Sequence, residues 1–157
     1  MSLGREGATV EFVDSMEDLD DGLRSMAAML NRYHRAEILI GVDSDGETTG
    51  IDVGEEDLDA VRSRIRERMN TVPEATVASE QAENGDRYIR VSATGYDIPY
   101  SYDGWFRVRR YCVRKTGDGT VTEWKDLLTC GMKRHRPRGR VRAGPSSAAY
   151  GSDRALP

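Results

Sequence analysis

Residues 37–52 read EILIGVDSDGETTGID. The apolar run up to Val42 is short enough for a central strand. A polar segment rich in Asp, Gly and Thr follows it. Asp45-Gly46 is a hairpin signal, because a two-residue turn asks both residues for positive φ. The spacing therefore predicts a hairpin, with ETTGID returning as the partner strand. Gly41 inside the first strand predicts a bulge or a close backbone approach.

Reading outward from this stretch, VEFV at 10–13 is a second short strand. Leu19, Leu23, Met26, Ala27 and Leu30 recur at steps of three and four, which predicts an amphipathic helix. Ser15 with Asp18 supplies its N-terminal cap pattern, and Gly22 weakens it slightly. On the other side, Leu58, Val61, Ile65 and Met69 form the stripe of a second helix. Its Arg62, Arg64, Arg66 and Arg68 read as a solvated face paired with nearby acids. Residues 75–82 and 87–93, joined by an Asn-Gly-Asp turn, form a hairpin. Residues 99–115 form a longer extended segment with a turn near Gly104. TGDGT at 116–120 is a loop, and TEWKDLL at 122–128 reads as a short helix capped by Thr122. The result is an α+β fold: a mixed sheet built from hairpins with two main amphipathic helices packed on one side.

The chain has 157 residues and a formal net charge of −4. That length suits one domain with a modest core. The charge is unevenly spread. Residues 131–157 carry seven Lys and Arg against Asp153, a net of +6, which leaves −10 on residues 1–130. The last segment is rich in Arg, Gly, Pro and Ser without apolar periodicity, so it reads as a flexible basic tail. The domain is accordingly set at 1–130 and the tail at 131–157.

Several functional classes fall away. No run approaches the eighteen apolar residues of a membrane span, and the N-terminus lacks a signal-peptide core. A cytoplasmic protein with two reduced thiols is expected. Cys112 and Cys130 are too far apart for a zinc knuckle. Asp43, Asp45 and Glu47 fit the first positions of a calcium loop. Thr48 then stands where glycine is needed and Gly54 where a bidentate Glu is needed. GxxxxGK[ST] is absent, so no ATP site is expected.

The carboxylates remain. Glu6 and Glu11 flank the first strand, and Asp43 ends the central one. If those strands neighbour each other, the three acids could converge as an oxygen site for Mg²⁺ or Mn²⁺. Acids decorating strand ends and turns explain the same spacing without any metal.

Glu6 ahead of VEF, the helix reading MAAMLN, the stretch ILIGVDSDGETTGID and the LxxVxxxI helix together resemble the Schlafen AlbA-like domain family. The GVDxDGxxxG stretch is the most specific part. PYS at 99–101, YCVR and TxEWKDL resemble its closing strand and helix, so the likeness spans residues 5–128. It implies a bacterial DNA- or RNA-binding module with a regulatory role. Some relatives are metal-dependent RNA nucleases, whose carboxylates correspond by motif to Glu6, Glu11 and Asp43. Three departures stand out. Val13 replaces a lysine. RYHRAE replaces a Gly-Gly pair before the central strand. The closing-strand arginine fits both Arg109 and Arg114.

On an acidic body, phosphate contact needs a local basic surface. Arg107, Arg109, Arg110, Arg114 and Lys115 are the candidates, with Trp105 and Tyr111 for stacking and Lys133, Arg134, Arg136 and Arg138 from the tail. Alternation places Trp105, Arg107, Arg109, Tyr111 and Val113 on one face, and Phe106, Val108, Arg110, Cys112 and Arg114 on the other. The second face is the more apolar, so it is expected inward, with Arg107 and Arg109 outward. A metal-dependent nuclease and a protein-interaction module are the rival functions. The sequence leaves self-association open.

Overall fold

The computed structural model describes residues 2–129, and the expected flexible tail at 131–157 lies outside them. The elements run β1 (Val10–Val13), a 3-10 turn (Met16–Asp18), α1 (Leu19–Tyr33), β2 (Arg35–Ile40), α2 (Glu55–Arg68), β3 (Glu74–Gln81), β4 (Arg87–Thr94), β5 (Ser101–Tyr102), β6 (Trp105–Thr116) and β7 (Gly119–Leu128). The protein is α+β, as its periodicities predict. Two sheets are present: a four-stranded one ordered β1-β2-β4-β3 and a three-stranded one ordered β5-β6-β7.

In the first sheet β1 runs parallel to β2, and β4 runs antiparallel to β2 and β3. Alternation puts Ala36, Ile38 and Ile40 of β2, and Ile89, Val91 and Ala93 of β4, on one face. The stripes of α1 and α2 cover that face, with Leu23, Met26, Leu30, Val61 and Ile65 in one shared core. Each such Leu or Met contributes about 1.5–3 kcal/mol through burial. A smaller cluster of Phe12, Leu39, Val42 and Tyr88 lies on the opposite face.

The stretch at 37–52 turns back as the hairpin expected, with a shorter returning strand than the sequence suggests. Around the Val42–Thr48 bridge the Asp43 N–H donates to the Glu47 carbonyl and the Thr49 N–H to the Gly41 carbonyl, both at 2.9 Å, and further along Ile51 bridges to Arg87 of β4. β2 takes β4 as its ladder partner, because β4 offers an apolar inner face along its length. The turn is a four-residue one over Asp43–Gly46, closed by the Gly46 N–H on the Asp43 carbonyl at 2.9 Å. Gly46 takes φ +84°, while Asp45 keeps negative φ. At Gly41 (φ +96°) an added Cβ would lie 2.8 Å from the Ile51 side chain, so this is a close approach.

The segment read as a terminal helix is β7. It pairs antiparallel with β6 from Thr116–Gly119 to Arg107–Leu128. The Gly117-Asp118 turn and the β-branched run Thr120-Val121-Thr122 outweigh the capping pattern at Thr122. β6 and β7 form a long hairpin against the far side of α1, so α1 is held between the two sheets. No helix among the described residues is long and apolar enough to cross a membrane.

Candidate nucleic-acid interface

Two asparagines place the hairpin. Asn31 of α1 donates through Nδ2 to the carbonyls of Tyr100 and Arg107, both at 2.8 Å, and accepts the Tyr100 N–H at 2.6 Å. Asn70, just past α2, donates to the Pro99 carbonyl at 3.1 Å and accepts the Ser101 N–H at 2.7 Å. The segment entering β5 is thus pinned from both helices, and β6 leaves it in a fixed register.

That register is the opposite of the one expected. Arg109 is buried, at 3% exposure. Its Nε and Nη2 reach Asp126 Oδ1 and Oδ2 at 2.8 and 2.9 Å. Nη2 also reaches Glu11 Oε1 at 2.9 Å, and Nη1 the Gly7 carbonyl at 3.1 Å. Ser25 of α1 donates to Asp126 Oδ2 at 2.7 Å. Arg109 therefore ties β6 to β1, β7 and the N-terminal segment, and α1 joins through Ser25. It is not at the surface to meet a phosphate. Arg107, on the same face, is half-buried, with Nη1 enclosed and unpartnered among the described residues. Burial, and then the nearby Arg24 charge, holds its pKa below the usual arginine value. The face with Phe106 and Val108 is not the inward one, because two carboxylates are available to receive an inward arginine.

Each of the three expected carboxylates engages a partner of its own. Glu11 lies against Arg109. Burial, opposed by Arg109 and reinforced by Glu6, raises its pKa to about 7. Glu6 Oε1 accepts the Phe12 N–H at 3.0 Å. Asp43 Oδ1 accepts the N–H groups of Asp45 and Glu47 at 2.9 and 3.0 Å, which fixes the turn. Among the described residues no group of three His, Cys, Asp or Glu could hold a metal ion. Val13 packs into the core.

Three predicted cations do reach solvent: Arg110, Arg114 and Lys115. Arg110 and Arg114 share the outward face of β6. Lys125 of β7 lies directly opposite Arg110, and Glu123 pairs with Lys125 at 2.8 Å. This face carries three cations against one carboxylate. Trp105 is half-buried. On the other face Tyr111 meets Trp124 with ring centroids 4.9 Å apart, and Tyr33 of α1 meets the edge of Trp124 at 6.4 Å. Arg32 lies 5.3 Å from the Tyr33 ring. Trp124 and Lys125 were missed because β7 was read as a helix. The alternation of TVTEWKDL was the available signal. Lys133, Arg134, Arg136 and Arg138 lie outside the described residues.

The family described as Schlafen, AlbA_2 matches residues 6–118. One solved structure, the DIP2311 protein from Corynebacterium diphtheriae, aligns with a TM-score of 0.52 at 17% identity. The alignment covers 77% of this chain and 24% of that one, so the chain spans about a quarter of that protein's length. At this identity the likeness is one of fold. No curated protein matches the chain.

Proposed function

Because the chain belongs to the Schlafen AlbA_2 family, we propose that it is a nucleic-acid-binding module with a regulatory role, contacting phosphates through the β6–β7 hairpin. The observation that carries this reading is the outward face holding Arg110, Arg114 and Lys125. Arg110 and Arg114 are four residues apart on one strand, about 13 Å at the usual rise. They are two separate contact points, not a single bidentate clamp. The acidic remainder repels a polyanion, so it would orient the nucleic acid towards this hairpin. The arginines of residues 131–142 follow directly in sequence and extend the basic character. Tyr33, Tyr111 and Trp124 offer stacking area on the hairpin's other side.

Fluorescence anisotropy with labelled duplex DNA and single-stranded RNA, across a salt series, tests this. The double variant Arg110→Glu/Arg114→Glu should weaken binding by about tenfold or more and reduce the salt slope by about two. Unchanged affinity and slope would remove the hairpin from the interface. No binding by the unaltered protein, even at low salt, would favour a protein-interaction module.

A further inference from the structure

β7 ends its sheet, and no described residue hydrogen-bonds to its outer edge. The Thr129 N–H donates to the Phe106 carbonyl at 3.1 Å, which fixes the phase of the ladder. Antiparallel pairs alternate, so Val121, Glu123, Lys125 and Leu127 turn their backbone groups towards β6. Thr120, Thr122, Trp124, Asp126 and Leu128 present theirs outward. An edge this long is a template for a further strand.

The side chains along this edge are self-complementary. Val121, Glu123, Lys125 and Leu127 stand in a row on the solvent face, in the order apolar, acid, base, apolar. Val121 and Leu127 are exposed. We propose that β7 pairs antiparallel with β7 of a second copy of this chain, with Trp124 opposite Trp124 on the two-fold axis. Val121 then faces Leu127 of the other copy, Glu123 faces Lys125, and each contact occurs twice, as an isologous interface requires. The outward backbone groups of Thr122 and Asp126 also meet in this register.

Charge selects this register over its neighbours. Hydrogen-bond parity allows shifts only in steps that keep outward residues opposite outward residues. One step in one direction sets Glu123 against Glu123, and one step in the other sets Lys125 against Lys125. Like charges directly opposite are destabilising, and opposite charges favourable. Within one chain Lys125 already faces Arg110 across the hairpin, so a second carboxylate beside it relieves a like-charge contact. The result is a continuous sheet through both copies. One strand pair buries less than the roughly 1,600 Å² of a standard interface, so the dimer should be of micromolar strength.

Sedimentation velocity of the full chain over a concentration series, without nucleic acid, tests the pairing. The wild type should show a monomer–dimer equilibrium. Lys125→Glu and Glu123→Lys should each raise the dimer dissociation constant by about tenfold or more. The double exchange Glu123→Lys/Lys125→Glu should restore it, which general damage to the fold would not do. Thr122→Pro removes an outward N–H without touching the β6 ladder, and should give monomer with unchanged far-ultraviolet circular dichroism. A monomer at every concentration would overturn the proposal. So would a dimer indifferent to the single charge changes, or one lost in the single variants and not regained in the double exchange. A dimer that disappears only on deletion of residues 131–157 would place the contact in the tail and overturn it equally.

Discussion

Arg109 and Asp126 form a two-pronged ion pair inside the protein, with both contacts below 3 Å and the arginine 3% exposed. Seventeen residues separate them in the chain, and they sit directly opposite each other on β6 and β7. Because Glu11 accepts from the same guanidinium, the pair also fastens the hairpin to the edge of the first sheet. A surface of basic side chains needs a rigid support. Here that support is Arg109, the most buried arginine of the strand.

Asp126→Ala should therefore destabilise the fold by about 3–5 kcal/mol, since it leaves a buried guanidinium half-compensated. Arg109→Met should cost less than Arg109→Ala, because it fills the volume while removing the charge. Urea denaturation checks both. A cost for Asp126→Ala below about 1 kcal/mol would mean the pair is solvent-screened.

Glu11 sets a pH dependence. Burial raises its pKa to about 7 in the folded state, against an ordinary value of 4.5. Between those values the folded state binds the proton more tightly than the unfolded chain. Its contribution to stability is full below about pH 4.5 and is lost as pH rises through 7. Glu11→Gln should flatten the stability profile between pH 5 and about 7.5 relative to wild type. The direct check is a carboxyl-carbon NMR titration of Glu11. A midpoint in the ordinary glutamate range would contradict the burial argument.

Both helices, β1 and the β3–β4 hairpin were legible in the sequence, because each carries its period on residues that the core then uses. Leu58, Val61, Ile65 and Met69 are all buried. The shortness of the returning strand after Asp45-Gly46 was not legible. Its Thr and Ile residues suit a strand, and only the competing apolar face of β4 decides against a longer one. The face of β6 was misread for a related reason. Counting apolar side chains ranks Arg109 as outward, yet Glu11 lies 98 residues away and Asp126 across a hairpin read as helix. A buried charge is legible only with its partners. The same misreading of β7 hid Trp124 and Lys125, and with Lys125 one of the three cations of the candidate surface.

Asn31 should be among the costliest polar side chains to remove. Asn31→Ala leaves the Tyr100 N–H and the Tyr100 and Arg107 carbonyls without their partner. A loss of about 2–4 kcal/mol is expected, since each stranded group costs about 1–3 kcal/mol and water can reach part of the site. Asn31→Asp keeps the acceptor for the Tyr100 N–H but aims a carboxylate at two carbonyls, so it should do no better than alanine at neutral pH. Thermal unfolding of the two variants checks this. A clear recovery in Asn31→Asp would show that the two donated bonds contribute little.

Gly22 offers a test in which two effects of opposite sign compete. It lies inside α1, where alanine is ordinarily favoured by about 1 kcal/mol. A Cβ there would stand 2.6 Å from Val13 Cγ2 and 3.1 Å from Ile38 Cγ2. Both neighbours are β-branched, buried and stiff at χ1, so neither can swing aside cheaply. The helix would have to lift from β1 and β2, and overpacking of this kind costs about 1–3 kcal/mol. The clash is with a side chain rather than backbone, so it can be removed by shortening Val13. Gly22→Ala alone should therefore be destabilising, by up to about 2 kcal/mol net of the helix gain. Gly22→Ala/Val13→Ala should be less destabilised than the sum of the two single changes, because each relieves the other's defect. A urea-denaturation double-mutant cycle gives the coupling directly. Simple additivity, or a stabilising Gly22→Ala, would show that α1 does not rest on Val13.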